Sequence, residues 1–145
     1  MQSLVASVLI CPSVFTRKDF FEIASYAREL HFALRLLTNG ILINEKVADK
    51  IASLYPELVG ISIYSANPKI HNGITKQNGS LQKSVLAAKM LLERKVKVKL
   101  SDVIMKQNVD DYHTVYELAK NLGANFQADY RIAPRTDYGI SGRKE

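Results

Sequence analysis

Leu58-Val59-Gly60-Ile61-Ser62-Ile63-Tyr64 and Val96-Lys97-Val98-Lys99-Leu100-Ser101 are the stretches whose reading decides the fold. In the first, Val59, Ile61 and Ile63 share one parity, and Gly60, Ser62 and Tyr64 share the other. In the second, Val96, Val98 and Leu100 alternate with Lys95, Lys97, Lys99 and Ser101. Successive side chains of a strand point to opposite faces, so each stretch is a strand with one apolar and one polar side. A third stretch repeats the pattern: Phe126, Ala128, Tyr130 and Ile132 oppose Gln127, Asp129 and Arg131. Parallel strands buried on both faces read instead as continuous apolar runs.

Helical patterns lie between these strands. Thr16 stands three residues before Asp19, a capping arrangement that opens a helix to about Leu30. Phe20, Phe21, Ile23, Ala24, Ala27 and Leu30 recur in it at helical spacing. Phe32–Thr38 reads as a strand closed by the Asn39-Gly40 turn. Asn44 caps a helix to about Leu54, and Ser65–Gly79 reads as a loop containing Pro and Gly. Ser80 caps a helix to about Glu93, with Leu81, Val85, Ala88 and Leu92 on one stripe. Asp110 or Asn108 caps a last helix that ends at Gly123.

With Leu4–Ile10 as a first apolar run, the expectation is α/β, with about five parallel strands and four helices. Such alternation fits an open doubly wound sheet or a partial TIM-type (β/α) barrel, and the polar parity favours the barrel arc. The polar face then either lines a cavity, with Ser62, Lys99, Asp129 and Arg131 on it, or faces solvent because the sheet is incomplete.

The 145 residues predict one domain, with residues 1–14 an atypical leader and 134–145 a flexible tail. No apolar run reaches the roughly 20 residues a spanning helix needs, so no membrane partner is expected. The apolar start lacks a basic n-region and reads as a strand or leader, not a signal peptide. A lone cysteine, Cys11, argues against a disulfide framework and fits the cytoplasm. The net charge of +6 favours anionic ligands. No RNP aromatics, zinc knuckles or helix-turn-helix accompany it, so nucleic acid is not an expected partner. His31, His71 and His113 lack metal-ligand spacing, and no Gly-rich phosphate loop is present.

Several segments carry a resemblance. Phe32–Gly40 ends in Thr38-Asn39-Gly40, and Ser62-Ile63-Tyr64-Ser65 follows at the next strand. His71-Asn72, Gly79-Ser80-Leu81, Lys106-Gln107-Asn108 and Arg131–Gly139 come after it in order. Phe15–Phe21 precedes them. In order and spacing these residues resemble radical S-adenosylmethionine enzymes of the SPASM/twitch peptide-modifying group, of the pyrroloquinoline quinone (PQQ) biosynthesis type. The resemblance implies that Ser62 contacts the cofactor ribose and that Thr38 and Asn39 lie near the cofactor. Lys99 would pair with a carboxylate, as a lysine there does in some relatives. For Ser62 a small residue chosen for packing, for Thr38 and Asn39 a plain turn, and for Lys99 a solvated strand face are the alternative readings.

The departures concern the iron. Intact relatives hold a [4Fe–4S] cluster on a Cys-x-x-x-Cys-x-x-Cys loop, and clusters need thiolate ligands. This chain has one cysteine, and Ile10-Cys11-Pro12-Ser13 stands where Gly-Gly-Glu-Pro is expected. The reading is therefore a truncated or degenerate relative that is inactive alone. It would keep a possible S-adenosylmethionine site but no cluster, and its implied partner is a peptide substrate. A nucleoside- or anionic-peptide-binding module is the second reading. The third is an interaction protein that forms homo-oligomers through unpaired strand edges.

Overall fold

The computed structural model describes residues 14–130. The Leu4–Ile10 run, Cys11, Arg131, and nearly all of the expected leader and tail lie outside them.

After a 3-10 turn at Val14–Thr16, five helices alternate with four strands: α1 (Phe20–Glu29), β1 (Arg35–Thr38), α2 (Glu45–Ser53), β2 (Leu58–Ser62), α3 (Pro68–Thr75), α4 (Ser80–Glu93), β3 (Val98–Val103), α5 (Tyr112–Leu122) and β4 (Asn125–Asp129). The strands form one sheet in the order β1-β2-β3-β4, and every pairing is parallel. A doubly wound sheet reverses strand order at a switch point. This one does not, so successive right-handed crossovers carry the helices onto one face. The architecture is a barrel arc.

Burial follows the alternation. Leu36, Val59 and Val98 make one lateral row under the helices, and Thr38, Ile61, Leu100 and Phe126 make the next. Val59, Ile61 and Leu100 are wholly buried, packed with Ala48, Ile51, Ala87, Leu91, Val115 and Ala119 from the helices. Burying such side chains contributes roughly 1.5–3 kcal/mol each. On α4 the expected stripe is only half right. Leu81 and Ala88 are buried, Val85 and Leu92 only partly, and Ser84, Ala87 and Leu91 complete the inner face.

The loop expected at Ser65–Gly79 contains α3. Asn67 caps it through Oδ1, which accepts from Lys69 N at 3.0 Å, and Pro68 fills the first helical turn, where no donor is needed. Other caps also differ. Asn44 caps α2 as expected, accepting from Val47 N at 3.0 Å. Asp19 is the N-cap of α1, but its carboxylate pairs with Arg17 instead of the helix amides. Gly79, not Ser80, is the N-cap of α4. Asp111, not Asn108 or Asp110, precedes α5, and Gly123 ends that helix at φ +75°.

Candidate functional site

In an α/β sheet of this kind ligands meet the carboxyl ends of the strands. On the face away from the helices, Leu37, Gly60, Lys99 and Asn125 form one lateral row, and Ser62, Ser101 and Gln127 the next. Lys99 Nζ donates to Gln127 Oε1 at 2.6 Å, tying the rows together. Gly60 is buried because Leu37 lies across it: a Cβ added there would sit 2.5 Å from Leu37 Cδ2. The result is a half-exposed shelf of hydroxyl, amide and ammonium groups that reaches the carboxyl end of β2 at Ser62 but lies further back on β3 and β4, Lys99 being the second residue of β3.

Two of the four expected site residues, Ser62 and Lys99, share this face, one row apart. The others do not join them. Thr38 is buried in the row of Ile61 and Leu100, on the helix side, and its Oγ1 accepts from Gly40 N at 3.0 Å. Asn39 forms an Asx turn, its Oδ1 accepting from Ile41 N at 3.1 Å, while its carbonyl accepts from Ser84 Oγ at 2.6 Å. Gly40 has φ +77°, and a Cβ there would lie 3.1 Å from Ala87 Cβ and 3.3 Å from Ser84 Cα. Thr38-Asn39-Gly40 is thus built as a turn that lets α4 approach closely.

The rim at the carboxyl ends of β2 and β3 holds a buried polar network. Asn108 is buried, and its Nδ2 donates to Tyr64 O, Asp102 Oδ1 and Val103 O at 2.9–3.1 Å. Its Oδ1 accepts from Met105 N at 2.6 Å. Asn108 therefore clamps the ends of β2 and β3 instead of capping a helix. Asp102 is buried, and its Oδ2 has no hydrogen-bond partner among the described residues. Burial pushes its carboxyl up to about 6; Asn108 opposes this and the Asp111 charge adds to it.

His71 is buried in α3, not placed in a polar loop, and its Nδ1 accepts from Tyr64 N at 3.1 Å. Burial holds its imidazole down to about 4, so the ring is neutral. Asn72 Oδ1 accepts from Ser80 Oγ at 2.9 Å and Leu81 N at 3.2 Å, serving α4 where Gly79 has no side chain to offer. Ser65 Oγ donates to Asp111 Oδ2 and accepts from Asn67 N. These residues hold the rim together. The legible signal for Asp102 was its parity, since it continues the apolar series Val98, Leu100.

The donor set does not fit an iron–sulfur cluster. The sequence has one cysteine, and among the described residues no three His, Cys, Asp or Glu side chains gather where a metal could bind. The shelf does suit a nucleoside or carboxylate: hydroxyls can bond ribose oxygens and an ammonium can pair with an anion.

A parallel barrel arc with a polar face turned away from its helices defines the class, an α/β-barrel protein. The pattern of the radical SAM superfamily matches residues 12–120, and the chain belongs to that superfamily. It is 28% identical over 109 residues to an AdoMet-dependent heme synthase of Methanosarcina barkeri, covering 75% of this chain and 31% of that protein. It is 32% identical over 112 residues to the mycofactocin maturase MftC of Mycolicibacterium smegmatis, covering 77% and 28%. In fold it resembles Streptococcus suis SuiB, with a TM-score of 0.74 at 17% identity, over 96% of this chain and 32% of SuiB. The chain therefore spans about a third or less of these relatives.

Proposed function

We propose that this chain is a barrel segment of a radical SAM peptide-modifying enzyme, of the PQQ-biosynthesis type, that binds a nucleoside weakly and does no radical chemistry by itself. The observation that carries this is the polar face on which Ser62 ends β2 beside Ser101 and Gln127, with Lys99 one row back, in a chain with a single cysteine. SuiB has been solved with S-adenosylmethionine and with the precursor peptide SuiA, which supports a nucleoside and a peptide as the ligand classes. In intact relatives the cluster and cofactor together supply a radical. Here Ser62 would orient a ribose hydroxyl and Lys99 would neutralise a carboxylate. Thr38 and Asn39 act by holding the turn beside the shelf. A cytoplasmic location and the absence of a nucleic-acid partner belong to the same proposal. Among the described residues no helix is long and apolar enough to cross a membrane.

The test is titration with S-adenosylhomocysteine by calorimetry, repeated on Ser62→Ala and Lys99→Ala. Both changes should weaken binding; if neither does, the shelf is not the site. Anaerobic reconstitution should give no stoichiometric [4Fe–4S] spectrum, and a stoichiometric one would remove the claim of inactivity.

The strand edges favour a second reading. Among the described residues β1 and β4 are the sheet's edges, and edges invite pairing between chains. Light scattering at ~100 µM should then find a dimer or larger species, and a monomer counts against it.

A further inference from the structure

A groove of about 450 Å³ opens on the same rim but outside the shelf, between α3 and the turn after β3. Lys69, Ile70, Gly73, Ile74, Lys76 and Met105 line it. Two lysines and no acid contribute, and neither lysine has an ion pair among the described residues. The floor is apolar, since Ile70, Ile74 and Met105 are each only partly covered.

The helix departs here from what its backbone favours. Gly73 lies inside α3, where glycine costs up to about 1 kcal/mol relative to alanine. Nothing in the packing calls for it, because an added Cβ would meet no atom within 4 Å. Lys76, by contrast, stands at the C-cap with φ +57°, where glycine or asparagine is the usual choice. Local energetics would exchange the two. As built, the groove stays open in the middle and carries a cation at its end.

We propose that this groove docks an acidic peptide segment, with carboxylates paired to Lys69 and Lys76 and one aliphatic side chain seated on Ile70, Ile74 and Met105. The charge calls for an anion, and the apolar floor calls for an apolar group on the same ligand. A single-stranded nucleic acid would want aromatic stacking platforms, and no aromatic residue lines the groove. The inference rests on the peptide-modifying reading only for the expectation that a peptide comes to this rim.

The test uses the full chain and fluorescence polarisation with a labelled Asp/Glu-rich octapeptide containing one leucine. Binding should fall as salt rises. Lys69→Glu with Lys76→Glu should weaken it about tenfold or more. Gly73→Leu should abolish binding while thermal stability is kept or raised, which separates a blocked groove from a misfolded chain. Ser62→Ala and Lys99→Ala should leave it unchanged, so failure of the nucleoside site and failure of the groove are read separately. The proposal is overturned by absence of binding at ~1 mM peptide or by full binding to Gly73→Leu. Equal binding of the leucine-to-serine peptide, polyphosphate or oligouridylate would also overturn it, leaving a plain cationic surface.

Discussion

The two faces of the sheet are built by the same strands, yet they obey different rules. Under the helices the rows Leu36–Val59–Val98 and Thr38–Ile61–Leu100–Phe126 shed water, and nearly every position is fixed by volume. On the opposite face Gly60 is buried under Leu37, but Leu37, Lys99, Ser62 and Ser101 stay half-exposed and Gln127 is exposed. The buried apolar volume is concentrated on one side.

Substitutions on the two faces should differ accordingly. Leu100→Ala or Ile61→Ala opens a cavity in a wholly buried row and should cost about 2–5 kcal/mol in urea unfolding. Ser101→Ala on the other face should stay within about 0.5 kcal/mol. If the two costs matched, the faces would not differ as described.

The rim that joins the faces comes next. Asn108→Ala removes the two N–H donors shared among Tyr64 O, Asp102 Oδ1 and Val103 O and one accepted bond, and leaves the Asp102 carboxyl without its partner, at a cost of about 2–3 kcal/mol. Gly40→Ala forces a Cβ onto Ala87 at a positive φ and should cost more than about 1 kcal/mol.

Acidity provides a subtler probe. Asp102 titrates near 6 in the fold against 3.8 free. Between those values the folded state holds the extra proton, so this group makes stability fall as pH rises from about 4 to 6. His71 runs the other way. Its value is about 4 in the fold against 6.5 free, so its contribution is present above 6.5 and lost as pH falls toward 4. The two slopes oppose each other in the parent chain. Asp102→Asn should expose the histidine slope, with urea midpoints dropping steadily from pH 6.5 to 4. A flat profile would mean that His71 does not titrate as described.

The smallest effect expected is at the surface. Arg35 pairs with Glu57 at 2.8 Å, with both side chains well exposed. Glu57→Gln should shift the urea midpoint only slightly, and less at high salt.

Much of the arc was legible because parity is local. Val59, Ile61 and Ile63, and Val96, Val98 and Leu100, announced which side would be dry, and all six are buried. Asn44 was legible as a cap for the same reason, because its partner Val47 lies three residues on. The helix α3 was hidden by its composition: Pro68 and Gly73 read as loop, though one starts the helix and the other is tolerated inside it. Asn108 was misread as a cap because its partners Tyr64 and Asp102 come from two different strand ends, which spacing alone cannot bring together.

The site divides along the same line. The parallel α/β order and the polar face with Ser62 and Lys99 on it could be read from the chain alone, since these depend on residue identity and period. Only the tertiary structure decided that Thr38 turns inward and that Asn39 is taken up by the turn. It also decided that Asp102 is sealed beneath Asn108, and that α3 leaves a groove beside the turn after β3. Each of those depends on which strand or helix arrives opposite, and that is set by packing across the sheet.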